Sequence, residues 1–170
     1  MAPPHRVGEL EIAEDIRFQE REWKVERIGW VLLALIVLLA LAGLFGTGPL
    51  SSASVDDADG ALTVGYERFI RHDGRSTLTI DVTGDQASNG EIEIWLSQEY
   101  LDAFELQNVS PQPADVIGAG DRTIYVFTID DPSSTLSVSF SLRPDDMGRV
   151  SGEAGVTDGP TVSFDQISFP

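Results

Sequence analysis

Histidine limits the catalytic chemistry open to this chain, because only His5 and His72 are present. His72 stands in an Arg-His-Asp-Gly sequence, which is typical of a tight turn because Asp-Gly suits the backbone there. No G-x-S-x-G sequence places a nucleophilic serine. The chain also lacks cysteine, which excludes thiol nucleophiles, thiolate metal sites and disulfides. We therefore predict a non-enzymatic protein with no catalytic residues.

Acidic side chains are so abundant that no single pair of them indicates a site. Residues 51–170 hold 21 Asp and Glu against six Arg and no Lys. The sequence Asp57-Ala-Asp59-Gly60 begins like a calcium loop, but Arg68 occupies the twelfth position, where an EF-hand requires glutamate. We predict no metal and no cofactor, with a weaker calcium site in the acidic turns as the alternative. So negative a field also disfavours nucleic acid as a partner.

The basic residues of the same region include one cluster. Arg68, Arg71 and Arg75 lie within eight positions of one another. The sequence favours a solvated hairpin whose arginines offset neighbouring acids. The alternative is that Arg68, Arg71 and Arg75 form a contact for an acidic partner.

A long apolar segment runs from Ile28 to Gly46, and no charged residue occurs between Arg27 and Asp56. A helix of this length extends about 28 Å, close to the ~30 Å hydrocarbon core of a bilayer. We predict that residues 28–46 form a single transmembrane helix. Its anchoring positions would be basic, aromatic or glycine residues at the two boundaries, namely Trp23, Arg27, Trp30, Gly43 and Gly46.

The flanking charges predict the orientation of this helix. Arg17, Arg21, Lys24 and Arg27 precede it, whereas the first basic residue after it is Arg68. The positive-inside rule then places the N-terminal tail, residues 1–27 and partly helical, in the cytoplasm. A cleaved signal peptide is the alternative, because Ser51-Ser-Ala53 offers small residues at a plausible cleavage position.

Beyond a linker over residues 47–60, residues 61–170 change to alternating polar and apolar positions with turn residues at short intervals. This pattern predicts an antiparallel β-sandwich of immunoglobulin-like size. In the segment Ser97 to Phe104 the alternation stops, and we predict a helical turn there, with a bent strand as the alternative. In either case Tyr100, Leu101 and Phe104 would lie in the core. The predicted strands are Ala61–Arg71, Ser76–Thr83, Glu91–Leu96, Phe104–Val109, Arg122–Ile129, Thr135–Leu142, Arg149–Val156 and Thr161–Phe169.

Three short segments resemble known sequences: Arg27-Ile-Gly-Trp30, Gly43-Leu-Phe-Gly-Thr-Gly-Pro-Leu-Ser51 and Tyr66-Glu-Arg-Phe69. Together they resemble small bacterial single-pass membrane proteins. The resemblance covers about residues 20–70. It implies a bacterial source and no particular activity.

These observations predict a membrane-anchored accessory or interaction subunit. Its sandwich would lie at the periplasmic or extracellular face of a bacterial inner membrane, beside an integral membrane protein partner, with a homo-oligomer left open. The alternative is a ligand-binding or sensory module for a sugar, an ion or a cell-wall fragment. That module would need a cleft with an exposed aromatic residue, for which Trp95 and Tyr125 are the candidates.

Overall fold

A computed structural model of the chain describes residues 16–41 and 51–170. The first element is helix α1, Ile16–Leu41. The Arg27 guanidinium carbon lies 4.0 Å from the centre of the Trp23 ring, a cation–π contact across one helical turn. Apolar side chains further along the helix are exposed, including Trp30 at 65% and Leu41 at 77%.

The predicted membrane span is not supported by the described helix. No helix within residues 16–41 and 51–170 is both long enough and apolar enough to cross a membrane. The described part of helix α1 reaches Leu41, and its apolar portion beyond Arg27 rises about 20 Å. The rest of the predicted span, including Gly43 and Gly46, lies outside the described residues.

Eleven strands and one short helix follow, and the strands form two sheets. The five-stranded sheet has the order β1-β2-β4-β9-β6. Its strands are β1 Ser52–Asp56, β2 Leu62–Glu67, β4 Ser76–Thr83, β9 Thr135–Pro144 and β6 Phe104–Ser110. The six-stranded sheet has the order β3-β11-β10-β5-β8-β7. Its strands are β3 Phe69–Arg71, β11 Thr161–Phe169, β10 Gly148–Val156, β5 Glu91–Ser97, β8 Arg122–Thr128 and β7 Asp115–Gly118.

All neighbouring strands pair antiparallel except β3 and β11, which are parallel. Both sheets contribute to one core, because alternate residues of β4 and β9 in one sheet and of β11 in the other are buried. The rings of Tyr125 in β8 and Phe140 in β9 meet edge to face across the sheets, 5.0 Å between centroids. The predicted all-β, two-sheet domain is therefore confirmed. Residues with no exposed surface include Leu62, Val64, Leu78, Ile80, Val82, Ile92, Ile94 and Leu96.

Helix α2, Gln98–Asp102, closes one end of the sandwich, as predicted for this segment. Tyr100 is fully buried and Phe104 is 6% exposed, whereas Leu101 is half-buried. The Tyr100 hydroxyl donates to Gln166 Oε1 at 2.7 Å, and Gln166 Nε2 donates to the Glu67 carbonyl at 2.7 Å. This buried polar chain joins α2 to strands of both sheets, with all its side-chain partners satisfied.

The strand order resembles an immunoglobulin domain in part. The run β2-β4-β9-β6 opposes β11-β10-β5, as the ABED and GFC sheets do in that fold. However, β6 comes before β7 and β8 along the chain, whereas an immunoglobulin domain adds its extra C′ strand directly after C. The connections therefore depart from the simple immunoglobulin order.

Apart from shifts of one or two residues at strand ends, the strands differ from the prediction in three respects. Ser52–Asp56, within the predicted linker, is a strand paired with β2. Small and polar residues can form such an edge strand, because its backbone hydrogen bonds are made to one neighbouring strand only. The predicted strand Ala61–Arg71 is interrupted at Arg68, and its two parts, β2 and β3, belong to different sheets. Strand β7 was not predicted, since all four of its residues are exposed and show no alternation.

Candidate interaction surface

The loops of the sandwich gather at two ends, and the two ends differ in their content of arginine. At one end lie Ser51, the loop of residues 68–75, helix α2 and the β9–β10 turn. Backbone hydrogen bonds connect them, such as Arg68 N–H to the Ser51 carbonyl and Asp145 N–H to the Ala103 carbonyl. We call this the Ser51 end. The opposite end contains the loops of residues 57–61, 84–90, 130–134 and 157–160, and we call it the acidic end.

All six arginines of the domain lie toward the Ser51 end. The strand registers place three of them there: Arg122 opposite Ser97, Arg143 opposite Glu105 and Arg149 opposite Ile167. The other three occupy residues 68–75, which comprise the short strand β3 and the turn after it and are here called the arginine loop. The domain therefore carries a charge asymmetry along its long axis.

The arginine loop is held by backbone contacts on both sides. Arg68 N–H donates to the Ser51 carbonyl at 2.7 Å, and His72 N–H donates to the Phe169 carbonyl at 2.8 Å. Within the loop, Gly74 N–H donates to the Arg71 carbonyl at 2.8 Å. A Cβ on Gly74 would meet that same oxygen at 2.8 Å, so glycine is needed for the tight turn.

Asp73 is the one acid of the arginine loop, and it is paired outside the loop. Arg143 Nη2 lies 2.7 Å from Asp73 Oδ1, and the Arg143 Nε also donates to that oxygen at 3.1 Å. Hydrogen bonding and the charge of Arg143 lower the pKa of Asp73. Asp73 adopts a left-handed backbone with φ of 59°, a conformation that Asp tolerates better than most residues.

The structure brings the three predicted contact residues Arg68, Arg71 and Arg75 together on this loop, all exposed. None of them pairs with a carboxylate of residues 16–41 or 51–170. The remaining arginines are engaged: Arg149 with Asp165 at 2.8 Å, and Arg122 with Asp121 at 3.2 Å. Within this part of the chain the three guanidinium groups are therefore available to solvent or to a partner, and both interpretations of the cluster stay predictions.

His72 lies in the same loop but is not arranged for catalysis. Its Nε2 is 3.7 Å from Asp73 Oδ2. Its Nδ1 is buried and has no hydrogen-bond partner among the described residues. Neither nitrogen holds a serine hydroxyl there, as a nucleophilic triad would require.

The acidic end contains an open cleft of about 810 Å³ and a second of about 370 Å³, and no Lys, Arg or His lines either of them. Its carboxylates are used locally. Asp57 accepts Leu62 N–H at 2.7 Å and Asp59 N–H at 3.2 Å, which lowers the pKa of Asp57. Asp131 likewise accepts from Ser133 N–H and Oγ at 2.8 and 2.7 Å. These carboxylate oxygens accept hydrogen bonds within their own turns. Within the described ranges, no group of three acidic or histidine side chains is placed to hold a metal ion.

The aromatic residues predicted to line a ligand cleft are buried, so that prediction is wrong. Trp95 is 6% exposed and Tyr125 is 3% exposed. Trp95 is covered by the Arg122 guanidinium at 4.4 Å and by Gly155, where a Cβ would meet the ring at 2.7 Å. Tyr125 points into the core against Phe140.

A further surface, which sequence reasoning missed, is the outer edge formed by β6 and β7. Val116 is 51% exposed and Ile117 is 44% exposed. Strand β7 ends its sheet, so its outer backbone groups are free to pair with another strand. Asp115 Oδ1 accepts the Val116 N–H at 2.8 Å. This contact occupies one backbone donor of the edge strand and so disfavours pairing with another strand, as charged side chains do at many sheet edges.

Comparison with known proteins gives fold similarity only. No family model matches the chain, and no curated protein matches it. A cohesin module of a Clostridium perfringens family 33 glycoside hydrolase is 15% identical at a TM-score of 0.41, covering 68% of this chain and 98% of that one. The C-terminal domain of the Streptococcus agalactiae AgI/II polypeptide BspA is 11% identical at 0.43, with 71% and 49% covered. The Actinomyces fimbrial adhesin FimA is 17% identical at 0.35, with 59% and 45% covered.

The chain thus spans about half the length of the streptococcal and Actinomyces structures. Every TM-score is below 0.5, so these similarities carry no argument about activity, ligand or partner. The charge distribution and contacts of this chain have to carry the functional conclusion.

Proposed function

We propose that this protein is a non-enzymatic, membrane-anchored accessory or interaction subunit. Its β-sandwich is presented at the outer face of a bacterial inner membrane, beside an integral membrane protein, with the N-terminus in the cytoplasm. The anchor is the apolar segment from Ile28 to Gly46, which contains no charged residue. A segment of that length matches the thickness of a bilayer core.

The observation that carries this proposal is the exposure of apolar side chains on α1. Val31 is 69% exposed, Leu32 55% and Leu33 53%. These residues fall on different sides of the helix, because successive residues are rotated by about 100°. A helix that is apolar all round requires cover from lipid or from other helices. A bilayer together with a partner membrane protein supplies both.

Basic residues on the N-terminal side support the proposed orientation. Lys24 and Arg27 precede the apolar segment, and the next basic residue is Arg68 in the sandwich. Arg27 also stacks on Trp23, and Trp is enriched where a helix meets the membrane interface.

Single-cysteine labelling tests the anchor and its direction, since the chain has no native cysteine. Ser133→Cys places a thiol in an exposed loop of the acidic end, and His5→Cys places one in the tail. We expect a membrane-impermeant maleimide added to intact spheroplasts to label the Ser133→Cys variant only. The His5→Cys variant should react after the membrane is permeabilised. The proposal would be contradicted by equal labelling of both variants before permeabilisation, or by release of the protein from membranes in alkaline carbonate.

A further inference from the structure

We propose that the arginine loop binds the anionic headgroups of phospholipids in the membrane that anchors the chain. The domain then stands on that surface with its acidic end pointing away from it. This inference rests on the proposed membrane anchor. It assigns a ligand to Arg68, Arg71 and Arg75 and an orientation to the whole sandwich.

The position of the arginine loop along the chain is the first argument. Ser51 follows the last residue of the apolar segment, Gly46, by five positions, and five extended residues reach at most about 18 Å. The Ser51 carbonyl accepts the Arg68 N–H at 2.7 Å. The loop is therefore attached directly to the point at which the chain enters the sandwich, a contour length of at most about 18 Å from the apolar segment.

The chemistry of the loop is the second argument. Its three arginines are exposed and make no ion pair with the described part of the chain. Its one acid, Asp73, is neutralised by Arg143 from β9. Guanidinium groups bind phosphate through two parallel hydrogen bonds, which suits phosphodiester headgroups.

The opposite end of the domain supplies the third argument. The loops of the acidic end include Asp57, Asp59, Asp85, Asp130 and Asp131, and they contain no basic residue. The Ser51 end also carries acids such as Asp102, Asp145 and Asp146, but it holds all six arginines of the domain. An anionic surface therefore repels the acidic end more strongly than the Ser51 end, which favours an orientation with the acidic end outward. An acidic protein segment would also attract the arginine loop, but the five-residue reach from the apolar segment favours the lipid surface.

The test measures how close each end of the domain lies to the headgroups. The full chain is reconstituted into vesicles of phosphatidylcholine, with or without phosphatidylglycerol, that carry an acceptor dye on the headgroups. A donor dye is attached to Met147→Cys, in the exposed β9–β10 turn at the Ser51 end, or to Ser133→Cys at the acidic end. We expect stronger energy transfer from the first position, increasing with phosphatidylglycerol.

Charge removal and salt supply the controls. Each arginine near an anionic surface shifts the ratio of contacting to free domains about fivefold, equivalent to about 1 kcal/mol. Replacing Arg68, Arg71 and Arg75 with Gln should remove the phosphatidylglycerol-dependent increase. Arg122 and Arg149 are paired with acids. Replacing these two arginines with Gln should leave most of the phosphatidylglycerol-dependent increase in place. Salt raised from about 0.1 M to about 1 M shortens the screening length from about 10 Å to about 3 Å and should reverse the increase.

If the efficiency of energy transfer did not change with phosphatidylglycerol content, salt concentration or the triple substitution, the proposed lipid contact would be wrong. If the triple variant instead lost a co-purifying acidic protein while vesicle measurements stayed flat, the loop would be a protein contact and this inference would be wrong, although the proposed function would stand. Failure of the unmodified chain to stay with the vesicles on flotation would contradict the proposed function itself.

Discussion

Arg143 Nη2 in β9 lies 2.7 Å from Asp73 Oδ1 at the tip of the arginine loop. The pair connects the loop to β9, an interior strand of the five-stranded sheet, across 70 positions of sequence. The Asp73 N–H also donates to the Pro144 carbonyl at 3.3 Å, so backbone and side chain hold the loop to the same strand. The loop's only carboxylate is thereby occupied, and its three arginines keep their charge available to a partner.

The Asp73–Arg143 pair predicts acid sensitivity. The pKa of Asp73 is lower in the folded state than its ordinary value of 3.8, because of Arg143. A carboxyl with a depressed folded pKa stabilises the fold above its unfolded pKa, and that contribution is lost as the pH falls through the folded value. We expect the stability lost between pH 5 and pH 2 to be smaller in Asp73→Asn, as measured by urea unfolding across that range.

Asp146→Asn is the matched control for this substitution. Asp146 is exposed and makes no ion pair or side-chain hydrogen bond with the described residues, yet its replacement removes the same charge. Asn also tolerates the left-handed backbone at position 73. An identical change in acid sensitivity for both variants would show that net charge, not the Arg143 contact, is responsible.

Tyr100→Phe tests the buried polar chain under α2. The substitution leaves the fully buried Gln166 Oε1 without the hydroxyl donor that lies 2.7 Å away. An unsatisfied buried acceptor costs about 1–3 kcal/mol. We expect a loss of that size in the free energy of unfolding, measured by urea titration of the purified full chain.

Tyr66→Phe is the control for Tyr100→Phe. Both tyrosine rings pack on Phe164, at 5.2 Å and 5.1 Å between centroids. The Tyr66 hydroxyl makes no hydrogen bond with the described residues, so its removal should change stability by less than about 0.5 kcal/mol. Equal losses in the two variants would mean that the Gln166 contact contributes nothing.

Gly155→Ala should destabilise the sandwich. A Cβ at this position would meet Trp95 ring atoms at 2.7 Å and the Pro160 carbonyl at 2.8 Å. Overpacking of this kind costs about 1–3 kcal/mol. Gly118→Ala, on exposed β7 with nothing within 4 Å, is the control and should be neutral or slightly stabilising. Thermal unfolding of both variants measures the difference; a Gly155→Ala variant as stable as the parent would show that Trp95 is not packed as described.

Charges placed in the apolar segment should release the protein from membranes. Arg at the centre of a membrane helix costs about 2.5–3.5 kcal/mol on insertion scales. We expect a Leu35→Arg and Leu38→Arg double variant to shift to the supernatant after carbonate extraction. A Gln107→Arg and Gln112→Arg double variant adds the same charge at exposed positions of the sandwich and should stay in the pellet. Unchanged retention of both would contradict the anchor.

Sequence periodicity predicted most of the fold because burial on one face imposes a two-residue period. Leu78, Ile80 and Val82 show it clearly, and all three are fully buried. The same reasoning missed β7, because an edge strand exposed on both faces has no reason to alternate. It also missed β1, whose Ser and Ala residues resemble a linker.

The candidate surface was only partly predictable. Arg68, Arg71 and Arg75 are visible in the sequence as a cluster, but their pairing state depends on Arg143, which is brought to Asp73 by tertiary structure. Trp95 was predicted on the solvent face by alternation with Ile94 and Leu96. It is buried because Gly155 on the paired strand leaves room for the ring and Arg122 covers it.

The most direct test of the accessory-subunit proposal is co-purification of a partner in fixed ratio. Full-length tagged protein, expressed at its native level, is extracted in mild detergent and analysed by quantitative mass spectrometry. The apolar surface of α1 requires cover, so we predict one integral membrane protein at a constant ratio to this chain, lost from the Leu35→Arg and Leu38→Arg double variant. Recovery of this chain alone, or with companions that vary between preparations, would contradict the proposal.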